Sequence, residues 1–297
     1  MQELWQKNNE LIPKEEWGNL IDNLKTEETV SNKEEAKTVL REKLIQAVNV
    51  RIPNKRFGVF FSGGVDSSLI ALLAKKENAD FICYAVGFQD DETKDPEDIV
   101  EAKKVAKKFD LHFKYKIYNL NEIEIIIKKT VQILKKVGKT DVVNIGVGAV
   151  IVAAVELSKE DHIDYFLGGL GSEEIFAGYE RHDKADNIHE ECWSGLKYMH
   201  GRDLVRDFNL GKEMGFNLRT PFLDKDLIEY AMKLPSEWKI VDDKKKVILR
   251  EVADEFLGDF AWRKKKAAQY GSCIDKAISK LAKNNGFKLK KDWLDTL

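Results

Sequence analysis

Cysteine is scarce in this 297-residue sequence, and none of it lies in a metal-binding pattern. The three cysteines are far apart, with no CxxC pair and no histidine at metal-ligand spacing; they are Cys83, Cys192 and Cys273. This arrangement argues against a zinc site and favours a reducing compartment. We therefore expect a cytoplasmic protein.

The sequence also lacks an excess of one charge, an export signal and a long hydrophobic run. Its 49 Lys and Arg residues nearly balance 51 Asp and Glu residues, and the net charge of −2 does not favour nucleic acid. The N-terminal stretch MQELWQKNNELIPKEEW has the pattern of neither a signal peptide nor a transit peptide. No stretch approaches the ~18 uncharged apolar residues that a membrane-spanning helix requires. We expect no membrane association, and nucleic acid would need a local basic patch.

Two common nucleotide-binding motifs, GxxxxGK(S/T) and GxGxxG, are absent, but another glycine-rich segment is present. Residues 57–68 read FGVFFSGGVDSS, in which FGVFF has the composition of a short buried strand and precedes a helical pattern. The glycines and serines therefore lie in a strand-to-helix turn, where backbone N–H groups and the helix dipole favour an anion. An ordinary capped turn is the alternative. We predict a phosphate site formed by Ser62, Gly63, Gly64, Asp66, Ser67 and Ser68.

The other patterns alternate between strand and helix. Residues 81–88 and 112–118 have the composition of buried strands, and a helical pattern separates them. A long helix around 121–137 and an apolar helix over 142–160 follow, and 164–179 repeats the order of strand, glycine turn and helix. The chain is helical and irregular from about residue 190. These patterns predict an α/β fold with a doubly wound, mainly parallel sheet and a helical C-terminal part.

The domain division follows from composition. Residues 1–32 are polar, and we expect them to form an N-terminal extension with Trp5 and Trp17 as anchors. Helical spacing begins just after Asn32 or Ser31, either of which can cap a helix. Because no linker interrupts residues 33–297, we expect them to form one domain.

Four separated segments together resemble a known family: SGGVDSS, LGGLGSEEIFAGY, LRTPFLD and KKKVILRE. They are similar, in the same order, to motifs of the synthetase domain of asparagine synthetases and β-lactam synthetases, within the PP-loop ATP pyrophosphatase superfamily. The resemblance covers roughly residues 33–280, and GYERH and RKKKAAQYGS are similar to the asparagine synthetase domain-containing proteins. It implies an enzyme that binds ATP and Mg²⁺, transfers AMP to an acceptor oxygen, releases pyrophosphate, and passes the product to ammonia or another amine.

The roles implied by this resemblance carry over residue by residue. Lys246 matches the catalytic lysine, whose ammonium stabilises the negative charge that develops on the α-phosphate and the acyl group. Asp66 and Glu173 match the two metal ligands, although the family usually has aspartate at the position of Glu173. Helix capping for Asp66, dipole stabilisation for Glu173 and a solvated charge run for Lys246 are the alternatives. The positions implied to bind ATP are Phe61, Ser62, Gly63, Gly64, Asp66, Ser67, Ser68, Val86, Gly87, Gly168 and Gly169.

The sequence departs from asparagine synthetases at two positions of the implied substrate pocket. Leu170 stands where those enzymes have a glutamate, and leucine cannot transfer a proton. Gly146 stands where they have an arginine, so an α-carboxylate would lose its fork-shaped partner. We therefore expect ATP activation to be retained and aspartate recognition to be weakened. The implied substrate pocket consists of Asn144, Gly146, Leu170 and Glu174.

The partners follow from what precedes the glycine turn. Only some tens of residues precede it, with no cysteine among them, so we expect no glutaminase half here. Ammonia, or a separate glutaminase, would then supply nitrogen to a small-molecule acceptor, and a homodimer stays open. One alternative is an enzyme acting on a tRNA nucleobase, with WRKKKAAQY and KLKKDW as a basic, aromatic face. Another is an ATP-binding partner subunit without chemistry of its own.

Overall fold

A computed structural model describes residues 3–26, 28–91, 94–263 and 266–297. The strands, in chain order, are β1 (Gln6–Lys7), β2 (Glu10–Leu11), β3 (Phe57–Phe60), β4 (Phe81–Phe88), β5 (Phe113–Tyr118), β6 (Tyr165–Leu167), β7 (Asn217–Arg219), β8 (Ile240–Val241) and β9 (Lys244–Lys245). The α-helices are α1 (Lys14–Leu24), α2 (Lys33–Asn49), α3 (Val65–Lys76), α4 (Glu97–Lys108), α5 (Leu120–Lys135), α6 (Val142–Ser158), α7 (Ser172–Ile175), α8 (Glu180–Asp183), α9 (Ile188–Met199), α10 (Val205–Met214), α11 (Lys225–Met232), α12 (Ser236–Lys239), α13 (Val247–Leu257), α14 (Ala268–Gly271), α15 (Ile274–Asn284) and α16 (Lys290–Leu294).

A parallel sheet with the strand order β5-β4-β3-β6-β7 forms the centre of the fold. The chain moves outward from β3 through β4 to β5, then returns to add β6 on the other side of β3. Because such crossovers are right-handed, the reversal places the connecting helices on opposite faces of the sheet. The predicted doubly wound parallel sheet is therefore confirmed. The strand order switches between β3 and β6, which is where ligands bind in sheets of this kind.

Local sequence signals account for the elements around this switch point. Every residue of β4 is buried, as expected for a strand covered on both faces. The Asn32 side chain accepts hydrogen bonds from the N–H groups of Glu34 and Glu35, which confirms the predicted cap of α2. Helix α4 begins directly after Pro96, whose ring suits a helix start. The short strand β7 was not expected, because its three residues carry too little pattern to identify a strand.

The N-terminal segment packs onto the rest of the fold through its two tryptophans. Trp5 and Trp17 are both almost fully buried. The Trp5 indole N–H donates to Thr220 Oγ1 at 2.9 Å, and the Trp17 indole N–H donates to the Leu196 carbonyl at 2.8 Å. Both anchors therefore join this segment to the β7 and α9 regions. The domain boundary at residue 32 stays a prediction.

Helix α6 is the most apolar helix near the sheet. The helical stretch Val142–Asp161 has a mean hydropathy of 1.7 over its most apolar window and is long enough to cross a membrane. A core helix has the same length and composition, and Ile145, Ala149 and Val152 of this one are completely buried. It packs against β4 and α5. We therefore interpret α6 as part of the core.

Candidate functional site

Two glycine turns meet at the carboxyl edge of the sheet, where the strand order switches. One follows β3 and the other follows β6, and these strands are neighbours. A Cβ atom at Gly169 would lie 2.9 Å from Asp66 Cβ, so the two turns are in direct contact. A side chain at Gly169 would therefore push the two turns apart.

The buried ammonium of Lys246 joins the two turns. Its Nζ lies 3.1 and 2.9 Å from the two carboxylate oxygens of Asp66. The same Nζ lies 2.7 Å from Glu173 Oε1 and donates to Ser172 Oγ at 2.9 Å. The Ser172 hydroxyl in turn donates to Asp66 Oδ1 at 2.5 Å. The structure thus brings together the three residues implied to bind metal and to catalyse.

Lys246 adopts a backbone conformation that lysine rarely adopts. Its φ of 57° and ψ of 33° lie in the left-handed region, immediately before α13, which costs of order 1 kcal/mol. Burial alone would lower the pKa of Lys246, but the carboxylates of Asp66 and Glu173 raise it above its ordinary value. The side chain is only 4% exposed, whereas Lys244 is exposed. Lys246 is thus a buried, protonated cation. The alternative interpretation, a solvated lysine in a run of charge, describes Lys244 instead.

Gly178 closes over this ion pair, and sequence reasoning did not identify it. A Cβ atom at Gly178 would overlap Glu173 Oε2 and collide with Lys246 Cε. The Gly178 N–H donates to the Glu173 carbonyl at 2.8 Å, which fixes the backbone on the far side of the pair. Its position in the same motif, at the end of IFAGY, was the available signal. Only glycine leaves room for the Glu173–Lys246 contact here.

The turn after β3 has the geometry of an anion cradle. Gly63 has a φ of +66°, and a Cβ atom there would lie 2.7 Å from the Ala102 nitrogen in α4, so only glycine fits. The Ser62 N–H donates to Ser67 Oγ at 3.3 Å, a long and weak bond. Ser68 Oγ is buried without a hydrogen-bond partner among the described residues. The turn therefore holds donors that an incoming anion can use.

The positions implied to contact adenine lie on the neighbouring strands. Strand β3 pairs with β4 only as far as Tyr84, so Val86 and Gly87 extend past the end of β3. The Phe88 N–H donates to the Ser272 carbonyl at 2.8 Å, and the Val86 N–H points to the same side because strand residues alternate. The Phe61 ring is buried, and the Phe61 N–H donates to the Tyr84 carbonyl at 2.9 Å. The Gly168 N–H donates to the Arg219 carbonyl.

The structure does not bring Glu174 to Lys246. The Glu174 carboxylate pairs with Arg202, and its side chain packs against Gly195 of α9. Burial, together with the nearby Asp203 carboxylate, raises the pKa of Glu174 to about 7, against the opposing effect of Arg202. Glu174 thus belongs to a buried charge network with Arg202 and Asp203 of the π-helical turn at residues 200–204. Its assignment to the substrate pocket stays a prediction.

The other three implied pocket residues lie on helix α6 and on the second glycine turn. Asn144 Nδ2 donates to Asp141 Oδ2 at 2.6 Å, and Asn144 Oδ1 is buried without a partner among the described residues. A Cβ atom at Gly146 would lie 3.1 Å from Gln269 Cβ, so Gln269 already fills the space beside this glycine. Leu170 is half-buried and packs against the core.

Two lysines of the basic segment proposed as a nucleic-acid face form ion pairs with neighbouring carboxylates. Lys266 Nζ lies 2.8 Å from Glu97 Oε2, and Lys290 Nζ lies 2.6 Å from Asp275 Oδ1. The Arg263 side chain is only 11% exposed. Two further basic residues of the segment, Lys264 and Lys265, lie outside the described residues. These ion pairs do not favour the tRNA alternative.

Comparison with known proteins places the chain in a family. The family model described as "Asparagine synthase" matches residues 39–190 and 181–290, which is most of the chain. The chain belongs to the asparagine synthase family, which confirms the resemblance inferred from the four motifs.

The relatives are longer than this chain. It is 34% identical to the putative asparagine synthetase [glutamine-hydrolyzing] 1 of Methanocaldococcus jannaschii, over 89% of this chain and 55% of that protein. It is 28% identical to the asparagine synthetase [glutamine-hydrolyzing] of Rattus norvegicus, over 88% of this chain and 47% of that protein. The NMN synthetase of Francisella tularensis has a TM-score of 0.35 at 15% identity, covering 88% of this chain and 98% of that one. The chain thus spans about half the length of these two curated relatives.

Proposed function

We propose that this chain is an ATP-dependent ligase that transfers AMP to an acceptor oxygen and releases pyrophosphate. Ammonia or another amine then attacks the activated acceptor, and AMP leaves. The observation that carries this proposal is the buried Lys246 ammonium, held between Asp66 and Glu173 where the two glycine turns meet. Membership of the asparagine synthase family supports it.

The residues around the turns suit the parts of ATP. We assign the pyrophosphate end to the cradle after β3, because its glycines admit phosphate oxygens close to the backbone and its serines add donors. We assign adenine to the crevice between Val86 and Gly87 on one side and Gly168 and Gly169 on the other. Ser68 Oγ, buried and without a described partner, fits a phosphate oxygen as its acceptor.

Asp66 and Glu173 are the proposed Mg²⁺ ligands. Magnesium bound beside phosphates needs few carboxylates, because water and phosphate oxygens complete its octahedron. Within the described residues, no group of three or more His, Cys, Asp or Glu is placed to bind a metal, and the proposed site therefore rests on two carboxylates. The two carboxylates already accommodate a cation, the Lys246 ammonium, which fits a positively charged ion at this place. Bound Mg²⁺ would neutralise charge on the phosphates.

Lys246 is proposed to act on both steps. In the first, the acceptor oxygen forms a bond to the α-phosphorus while the bond to pyrophosphate breaks. In the second, the amine nitrogen bonds to the activated carbon, the carbon–oxygen bond to AMP breaks, and the nitrogen loses a proton. Both steps build negative charge on an oxygen, which a fixed ammonium stabilises. The raised pKa of Lys246 keeps it protonated for this role.

The acceptor is proposed to be a small molecule. Free ammonia or a separate glutaminase would supply the nitrogen. Two basic residues of the segment suggested for tRNA, Lys266 and Lys290, already form ion pairs with Glu97 and Asp275, so we favour the small-molecule acceptor.

Asp66→Asn is expected to weaken Mg·ATP binding about tenfold or more, because the variant loses a charged metal ligand. Calorimetric titration with ATP, with and without Mg²⁺, measures this effect. Asp80→Asn is the matched control, since Asp80 precedes β4 at the amino edge of the sheet and pairs with Arg56. The affinity of the Asp80→Asn variant for Mg·ATP should equal that of the unmodified chain. An Asp66→Asn protein with unchanged affinity under both conditions would remove this site.

A further inference from the structure

Negative charges outnumber positive charges at the site once Mg·ATP is included. This inference rests on the proposed function. Two carboxylates, Asp66 and Glu173, face a single ammonium from Lys246. Mg·ATP has a net negative charge. When the bond to the α-phosphorus breaks, the oxygens of the departing pyrophosphate gain further negative charge. This excess of negative charge favours a further cation near the β- and γ-phosphates.

Arg263 places a guanidinium on the cradle. Its Nη1 donates to the Ser62 carbonyl at 3.0 Å, although the two residues are 201 positions apart in the chain. Ser62 begins the glycine turn that follows β3. With its side chain only 11% exposed, Arg263 is held inside the molecule at this contact. Within the described residues, it is thus a second cation in contact with the turns that form the site.

One nitrogen of the Arg263 guanidinium is available to donate hydrogen bonds to a ligand. Arg263 Nη2 is buried and has no hydrogen-bond partner among the described residues. Three carboxylates of α4 lie nearby but beyond hydrogen-bond length, with Asp98 Oδ1 at 3.7 Å and Glu97 Oε1 at 3.9 Å from Nη2, and Glu101 Oε2 at 3.8 Å from Nε. These acids hold the guanidinium electrostatically without using its Nη2 donors. A buried donor without a partner is costly unless a ligand supplies one.

Arg250 fixes the backbone that carries Arg263. Its Nη1 donates to the carbonyls of Ala261 and Arg263, and its Nε donates to the Lys245 carbonyl at 2.8 Å. The Arg250 N–H also donates to the Lys246 carbonyl at 2.9 Å, one turn along α13. One arginine therefore ties the backbone on either side of the site, next to Lys246 and at Arg263.

We propose that Arg263 binds the pyrophosphate portion of ATP and that Arg250 is the residue that positions it. A guanidinium presents a planar fork of donors that matches two phosphate oxygens, and it stays charged when buried. It would also stabilise the charge that pyrophosphate gains when its bond to the α-phosphorus breaks. Lys246 then stabilises negative charge at the reacting phosphorus, and Arg263 stabilises negative charge on the leaving pyrophosphate.

The competing explanation is that Arg263 only fastens the C-terminal segment to the glycine turn. Ligand selectivity separates the two. A residue that binds pyrophosphate affects ligands that contain it and leaves AMP binding unchanged. A residue that only holds the fold affects every ligand of the site.

The test uses Arg263→Gln and Arg263→Lys, with calorimetric titration of inorganic pyrophosphate, ATP and AMP, all with Mg²⁺. We expect Arg263→Gln to bind pyrophosphate and ATP about ten- to a hundredfold more weakly, with unchanged AMP affinity. Arg263→Lys, which keeps the charge but not the fork, should fall between. Lys266→Gln is the matched control, because Lys266 pairs with the same helix α4 through Glu97 but is 64% exposed. It should behave as the unmodified chain does.

A double-mutant cycle tests the positioning role. Arg250→Lys should weaken pyrophosphate binding, and adding it to Arg263→Gln should cost little more, because both changes remove one interaction. Equal losses for AMP and pyrophosphate, or an unchanged pyrophosphate affinity in folded Arg263→Gln and Arg263→Lys, would overturn the inference alone. An unmodified chain that binds neither ATP nor pyrophosphate would overturn the proposed function, and the inference with it.

Discussion

Lys246→Met is expected to reduce acceptor-dependent AMP formation about a hundred- to a thousandfold. Methionine keeps the length of the side chain but removes the ammonium that lies within 3.1 Å of Asp66 and Glu173. Charge that develops on the reacting oxygens would then lack the fixed ammonium that stabilises it. Because the interaction strengthens in the transition state, kcat should fall much more than the affinity for ATP. Steady-state kinetics with any acceptor that supports turnover measures both.

Lys244→Met is the control for this experiment. Lys244 lies two residues earlier in the same run of lysines, is exposed, and stacks over the Trp262 ring. Its loss should leave the rate unchanged. A Lys246→Met protein that is folded, as judged by thermal unfolding, and keeps most of the rate would show that Lys246 is a structural cation only.

The second large effect concerns aspartate. The unmodified chain, supplied with aspartate, ammonium, ATP and Mg²⁺, is expected to form asparagine poorly. Gly146 removes a charge-assisted contact to the substrate carboxylate, which costs about one to two decades in binding. Leu170 removes a proton acceptor, and such a loss costs a further ~10²- to 10⁴-fold in rate. Asparagine formation, measured by chromatography of the products, provides the test.

The structure determines how a gain of activity should be attempted. An arginine at position 146 would collide with Gln269, whose Cβ lies 3.1 Å from a Cβ built on Gly146. Leu170→Glu with Gly146→Arg is therefore combined with Gln269→Gly, which removes both the Cβ and the Cγ that a side chain at position 146 would meet. Leu170→Gln with the same two other changes is the matched control, because glutamine has the shape of glutamate without its proton acceptor. Robust asparagine formation by the unmodified chain would show that the interpretation of Leu170 and Gly146 is wrong.

Sequence patterns were most informative where structure is local. The strand at residues 81–88 was predicted with its observed bounds, because a run of buried β-formers ends sharply at polar residues. The glycine turn after β3 was also predicted, because closely spaced glycines and serines directly after a strand indicate a tight turn that exposes backbone N–H donors. Lys246 came only from the resemblance, because three adjacent lysines do not reveal from sequence which one is buried.

Contacts between distant segments were not predictable. Arg263 meets Ser62 because α13 and the residues after it return to the first glycine turn, and no local signal encodes that approach. Gly178 appears unremarkable in sequence until Lys246 is placed beside it. Glu174 follows Glu173 directly, yet a helix turns successive side chains by about 100 degrees, so the two carboxylates face different partners.

The products of ATP turnover test the central claim most directly. ATP labelled in its α- or γ-phosphate is incubated with the chain, Mg²⁺, ammonium and a panel of candidate acceptors, and the labelled products are separated. Cleavage next to the α-phosphorus predicts AMP and intact pyrophosphate in equal amounts, with their formation dependent on the acceptor and lost in Lys246→Met. ADP and inorganic phosphate as the products would contradict the assignment of the glycine turn as a pyrophosphate cradle.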